Sequence, residues 1–428
     1  MKVKSLDYAI FKLKNGLKVL LLKRPEKYTV AVSLIFRAGS IYEKEETSGV
    51  SHFFEHLMFN GSKTFPTKEQ FREAELSLGI NFNASTGYDN VHLYASFPII
   101  ELLSSLKLIK EAAFESLLSK SSIETGREVM LSEEGMRRDN LSIEFWDLTL
   151  KNRFLKDNPL RLPREGLPGS IKTLKFKKIG EKYNVHANAS NAYLVIGSSL
   201  DFGRLKKAVS EVFGHLPKGE SLSVPNTSKI STHKVNGIFK DSKQVYLNFN
   251  FPYFPSKDLV ERWRKSFLTE IIGERLYRRL VLKEGLVHTS FSSIEILTTS
   301  TRIVYIGATC SLYSFKKVVD IIFDEIKKVK NGKIDVKLFE KLRKVGNKTL
   351  PMNFDSLDGA MQWVWGSFFE EGKVYSPEEV IAARNKVGID DLSIAANKLL
   401  DFEKLNFIYM GPLEKSTVNK VISRNINF

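Results

Sequence analysis

Apolar and polar residues alternate over residues 8–22 around the turn dipeptide Asn15-Gly16, which predicts a β-hairpin. A further strand is predicted over Thr29–Phe36. The period then lengthens, giving one helix across Val50–Asn60 and a second across Thr67–Leu78 with Thr67 as its cap. Strand-like runs at residues 80–86 and 91–98 are joined by Gly87-Tyr88-Asp89-Asn90. Helical periodicity returns over Ile99–Leu118 and Ser122–Leu155, and a strand is expected at Ala192–Gly197.

The second half repeats this order. Two β-type runs followed by an amphipathic helix occur in Val287–Phe323 as in Ile80–Phe114, and a helix at Leu259–Leu282 takes the place of the one at Val50–Asn60. A chain of 428 residues is also too long for one ordinary core. The expectation is an α+β fold of two homologous domains, 1–215 and 236–428, each a mainly antiparallel sheet backed by helices. Residues 216–235, rich in Pro, Ser, Thr and Lys, read as the linker.

Composition narrows the chemistry. Hydrophobic residues at 43% and charged residues at 27% are ordinary for a globular protein. Lys2, Lys4, Asp7, Lys12, Lys14 and Lys18 interrupt any apolar run long enough for a signal peptide or membrane span, so a cytoplasmic protein without a membrane partner is expected. Cys310 is the only cysteine, which excludes an intramolecular disulfide and a thiolate cluster; any metal must use histidine and carboxylate. The net charge of +16 raises the question of nucleic acid. Its lysines are spread along the chain with no zinc finger, helix-turn-helix or aromatic-basic repeat, so no nucleic-acid partner is expected. Glutamine is confined to Gln70, Gln244 and Gln362, and with abundant Lys and Glu this fits a heat-adapted composition.

The densest chemistry is His52-Phe53-Phe54-Glu55-His56. On a helix, residues four apart share a face, so both imidazoles can reach one ion. Glu55 then sits beside that ion without being forced to bind it, the place for a base that deprotonates water. A catalytic zinc site takes a third protein ligand and keeps one position open. By spacing alone, Glu133 is one acidic residue among several on its helix.

The run Asn15-Gly16-Leu17, Arg37, Gly39-Ser40, Gly49 and the His-Phe-Phe-Glu-His motif resembles the pitrilysin or insulinase-type metallopeptidases, in their short, mitochondrial-processing-peptidase-like branch. That family carries an inverted zincin motif and a glutamate ligand about 75 residues later. Glu133 lies 133 − 56 = 77 positions after His56, with Arg127, Val129 and Leu131 matching the flanking pattern. The resemblance therefore implies one Zn2+ per chain held by His52, His56 and Glu133, with Glu55 as catalytic base and Glu134 as the fallback ligand. It further implies substrate binding at Asn83 and Ala84, on a strand that holds the peptide by its backbone. Pro159-Leu160, Pro163, Gly166 and Ser170-Ile171 fit a family loop, and Tyr183, Asn191 and Gly197 the strand after it.

Departures from the family pattern carry their own implication. A second family glutamate, seven positions before the ligand, falls at Gly126. An arginine and tyrosine that reach the substrate from the second half fall at Val281 and His288. Valine offers no hydrogen bond to an oxyanion. The resemblance thus implies a zinc metalloendopeptidase acting on peptides or unfolded polypeptides as the metal-bearing subunit of a two-chain clamshell, its partner supplying the Arg/Tyr pair. The alternatives are a homodimer in which His288 substitutes, and a non-catalytic structural subunit of a peptidase-like complex.

Overall fold

The computed structural model describes residues 6–231 and 234–426. Residues 1–5, part of the stretch read for a leader, and residues 232–233 of the expected linker lie outside them.

Among the described residues, eleven strands are formed: β1 (Tyr8–Lys12), β2 (Lys18–Lys23), β3 (Thr29–Phe36), β4 (Asn81–Thr86), β5 (Val91–Pro98), β6 (Ala192–Ser198), β7 (Lys234–Phe239), β8 (Val245–Tyr253), β9 (Val287–Ile296), β10 (Arg302–Cys310) and β11 (Asn406–Gly411). The helices of the first half are α1 (Val50–Leu57), α2 (Lys68–Leu78), α3 (Leu102–Phe114), α4 (Lys120–Arg138), α5 (Leu141–Arg153), α6 (Pro168–Thr173), α7 (Phe176–His186) and α8 (Phe202–Phe213). Those of the second are α9 (Leu259–Leu276), α10 (Phe315–Lys330), α11 (Val336–Thr349), α12 (Leu357–Glu371), α13 (Pro377–Asn385), α14 (Ile389–Leu399) and α15 (Lys415–Ile426).

The first sheet runs β1-β2-β6-β3-β5-β4 and the second β7-β11-β8-β10-β9. Among the described strands, only β2 with β6 and β7 with β11 pair in parallel; every other neighbour is antiparallel. Setting β2, β6, β3, β5, β4 against β7, β11, β8, β10, β9 makes the two orders identical, so the α+β fold of two homologous parts is realised, with β1 as an addition to the first. The hairpin turn is held where expected: Gly16 adopts φ 96° and the buried Asn15 donates to the Phe213 carbonyl at 2.7 Å.

The described residues group into two compact units that are not contiguous in sequence. One holds Met1–Asp139, Leu162–Pro225 and Pro351–Ser376; the other holds Asn140–Arg161, Asn226–Leu350 and Pro377–Phe428. The helical periodicity read as continuous over Ser122–Leu155 breaks at Asp139, and Asn140 caps the new helix by accepting from Ser142 and Ile143. That new helix, α5, packs Phe145 on Ile408 and Met410 of the second sheet. Reciprocally, α12 lays Leu357, Met361, Val364 and Phe368 over Leu20, Leu22, Ile35 and Val195 of the first sheet. Each sheet thus has one face covered by helices of its own half and part of the other by a helix from the opposite half.

Tyr183, matched above to a strand, lies instead on α7, where its hydroxyl accepts from the Ser116 N–H at 3.0 Å. Among the described residues, no helix is long and apolar enough to cross a membrane.

Candidate metal centre

Short helix α1 is built to present polar groups from an apolar base. Val50, Phe53, Phe54 and Leu57 are buried in the first core, where Phe54 meets Phe36 edge to face. Its start has no capping side chain of its own, because Gly49 stands there at φ 100°. The cap comes from Glu43, whose buried carboxylate accepts the N–H groups of Gly49 and Ser51, both at 2.7 Å. Burial pushes the Glu43 pKa up, and these hydrogen bonds pull it back.

His52 and His56 lie one turn apart, with ring centroids at 4.6 Å and their Nε2 atoms at 3.1 Å. Helix α4 packs against α1 and brings one oxygen of Glu133 to 3.4 Å from the first Nε2 and 3.5 Å from the second. A tetrahedral zinc with bonds of 2.0–2.1 Å has ligand-to-ligand edges of about 3.3–3.4 Å. The three atoms therefore have the spacing of one face of such a tetrahedron, and the oxygen-to-nitrogen edges are longer than good hydrogen bonds. The donor set fits zinc, and the fourth corner has no protein ligand among the described residues.

The tautomer fits as well. His52 Nδ1 faces the Glu165 carbonyl at 3.2 Å; a carbonyl only accepts, so Nδ1 carries the proton and Nε2 keeps its lone pair. Burial, with His52 and Lys68 acting in the same direction, pushes His56 down to about 3, so its ring is neutral, as a metal ligand must be.

Glu55 does not join the triad. Its carboxylate accepts a hydrogen bond from the Thr86 hydroxyl at the end of β4. Burial raises its pKa most; His52 and Thr86 lower it, while Glu133 and Glu165 raise it. A carboxylate held beside the three candidate ligands and shifted towards neutrality would be matched to taking a proton from water. Glu134, the fallback ligand, turns into the protein and pairs with Arg138 at 2.8 Å and Arg137 at 3.5 Å. Gly126 lies where α4 approaches α1, and a Cβ there would stand 3.9 Å from the Phe53 ring.

Asn83 and Ala84 lie on β4, the outermost strand of the first sheet. Asn83 is exposed and Ala84 buried, as the pleat requires, and the Asn83 side chain accepts from the Ala84 N–H at 2.8 Å. Among the described residues, the backbone of β4 pairs on one side only, with β5. In the second unit, Val281 lies in a π-helical turn, Tyr277–Lys283, partly buried against the core, and His288 is exposed near the start of β9.

Sequence reasoning missed Glu43, Thr86 and the Glu165 carbonyl. A main-chain oxygen leaves no mark in residue type, and Thr86 is an ordinary strand end. An acid shortly before a helix that lacks a capping side chain was the one available signal, at Glu43.

Comparison with known proteins bears on the same residues. Residues 18–164 match the family described as insulinase, peptidase family M16, and residues 174–345 match the peptidase M16 inactive domain. An uncharacterized zinc protease of Rickettsia bellii (strain RML369-C) is 26% identical over 410 residues, covering 95% of this chain and 98% of that protein. The mitochondrial-processing peptidase subunit beta of Saccharomyces cerevisiae is 23% identical over 434 residues, covering 96% and 92%. A protease from Helicobacter pylori of solved structure superposes with a TM-score of 0.85 at 18% identity, covering 96% of this chain and 100% of that one.

Proposed function

This chain belongs to the insulinase-type peptidases of family M16, and from that premise we propose that it is a zinc metalloendopeptidase hydrolysing peptides or unfolded polypeptides. The observation that carries the reading is the triangle of His52, His56 and Glu133, with edges of 3.1 to 3.5 Å, beside the Glu55 carboxylate, which stays outside it. His52, His56 and Glu133 hold one zinc ion. When bound, zinc supplies Lewis acidity, polarising a peptide carbonyl and making water easier to deprotonate.

The chain's own groups do the rest. Glu55 takes a proton from the attacking water and returns it to the leaving amine. Thr86 fixes that carboxylate by a hydrogen bond, so base and substrate strand are tied to one element. The one-sided backbone of β4 receives an extended peptide as an added strand, with Asn83 and Ala84 setting its register.

An oxyanion donor is missing from this account, since Val281 packs into a core and His288 offers at most a weak one. That supports a second, homologous subunit that contributes an arginine and a tyrosine, with a homodimer using His288 as the alternative. The test is metal analysis and peptide cleavage by the purified chain, alone and after copurification from native cells. Stoichiometric zinc, with cleavage that rises when the partner is added, is expected. A chain without zinc affinity would overturn the catalytic reading, and full turnover by the chain alone would overturn the partner.

A further inference from the structure

Helix α12 covers only part of its sheet face. It packs on β6 and β3, leaving the same face of β5 and β4 open beside it. The result is a groove of about 620 Å³ whose lining comes entirely from the first unit. Its floor follows the cross-strand pairs: Ala31, Ser96 and Asn81 form one row, Ser33 and Tyr94 the next. Small side chains in these rows give the groove its depth. Its walls are rings: Trp365 of α12 stands 4.6 Å from His92, and His92 stands 5.3 Å from Tyr94. His92 Nε2 is buried there with no hydrogen-bond partner, although its ring is largely enclosed. Burial pushes His92 down to about 4, so the ring is neutral at physiological pH.

The groove lies on the strand that the proposed function assigns to substrate. On β4, Phe82 meets Phe59 and Thr86 meets Glu55, both on α1's side of the sheet, while Asn81 and Ser85 line the groove on the other. A peptide added to the free edge of β4 is pleated in the same way. Every second side chain therefore falls on the groove side, away from the metal triangle.

Resting on that reading, we propose that the groove is a side-chain pocket for the bound peptide, selecting an aromatic residue with a polar tip, tyrosine above all. Ring walls favour an aromatic body, and an unpaired imidazole nitrogen among hydroxyl and amide groups, with the Asp358 carboxylate able to accept from a phenol, favours one hydroxyl. An aliphatic side chain would leave those groups dry and unpaired.

The experiment uses the full chain carrying Glu55→Gln, zinc-loaded, and a labelled unstructured peptide in which tyrosine, lysine or alanine is placed at one position at a time. Binding is read by fluorescence anisotropy. Tyrosine at one position is expected to tighten binding about tenfold over alanine. In Trp365→Ala and in Ser85→Trp, each verified for zinc content, that ratio should fall to about one. A tyrosine gain that persists in both variants, a lysine gain in place of tyrosine, or no positional gain overturns the pocket. Failure of the parent chain to bind any peptide overturns the β4 reading itself, a result distinct from binding without selectivity.

Discussion

Gly166 packs on Gly49 so tightly that a Cβ on Gly166 would come within 2.4 Å of the Gly49 Cα. Both glycines have positive φ, at 96° and 100°. This contact seats the loop whose preceding carbonyl, that of Glu165, holds Nδ1 of His52. Gly166→Ala should therefore displace that carbonyl and weaken zinc binding by about 10–100-fold. Chelator competition measures it; unchanged affinity would remove the carbonyl from any role in orienting the ring.

Neighbouring glutamates should behave differently. Glu133→Ala removes one corner of the triangle and should lower zinc affinity by at least about 100-fold, whereas Glu134→Gln, which disturbs pairs with Arg137 and Arg138, should stay within about tenfold. Equal losses in both variants would show that α4 presents its carboxylates otherwise than described.

Glu55→Gln should keep its zinc and lose at least about 100-fold in turnover, because an amide cannot accept the proton from water. Thr86→Val should fall between this variant and the parent, since it frees the carboxylate to rotate without removing it. Metal analysis paired with steady-state cleavage reads both, and full activity in the Glu55→Gln variant would end the assignment.

His186 lies under Phe54 of the metal helix, its Nδ1 facing the Arg37 carbonyl at 3.3 Å. Burial pushes it down to about 4, against an ordinary value of about 6.5. Between those values the unfolded chain binds the proton and the folded chain does not, so stability is complete above about pH 6.5 and falls as pH drops towards 4. The full cost is about 3–3.5 kcal/mol. His186→Gln should flatten that part of the denaturation profile between pH 7 and 4.5; an unchanged slope would mean the folded chain takes up that proton as readily as the unfolded one.

Much of this was legible in the chain because it is local. The pairing across the Asn15-Gly16 hairpin, the Thr67 cap with its reciprocal Gln70 partner and the paired histidines each depend on residues close to one another in the chain. Glu133 and Glu134 could not be told apart by spacing, since adjacent helical residues differ by a rotation that only packing against α1 fixes. Periodicity also cannot say which sheet an amphipathic helix will cover. Phe145 and Phe368 look alike as apolar positions, yet each serves the sheet built mostly from the other half.

That reciprocal covering has a consequence for biosynthesis. Leu20, Leu22, Ile35, Tyr193 and Val195 form a greasy surface as soon as β6 is made, but Leu357, the first residue of their lid, comes 357 − 198 = 159 residues after Ser198. At common ribosomal speeds of about 5–20 residues per second, the nascent chain spends roughly 8–30 s with that surface bare. A surface uncovered for that long is open to aggregation before its lid arrives.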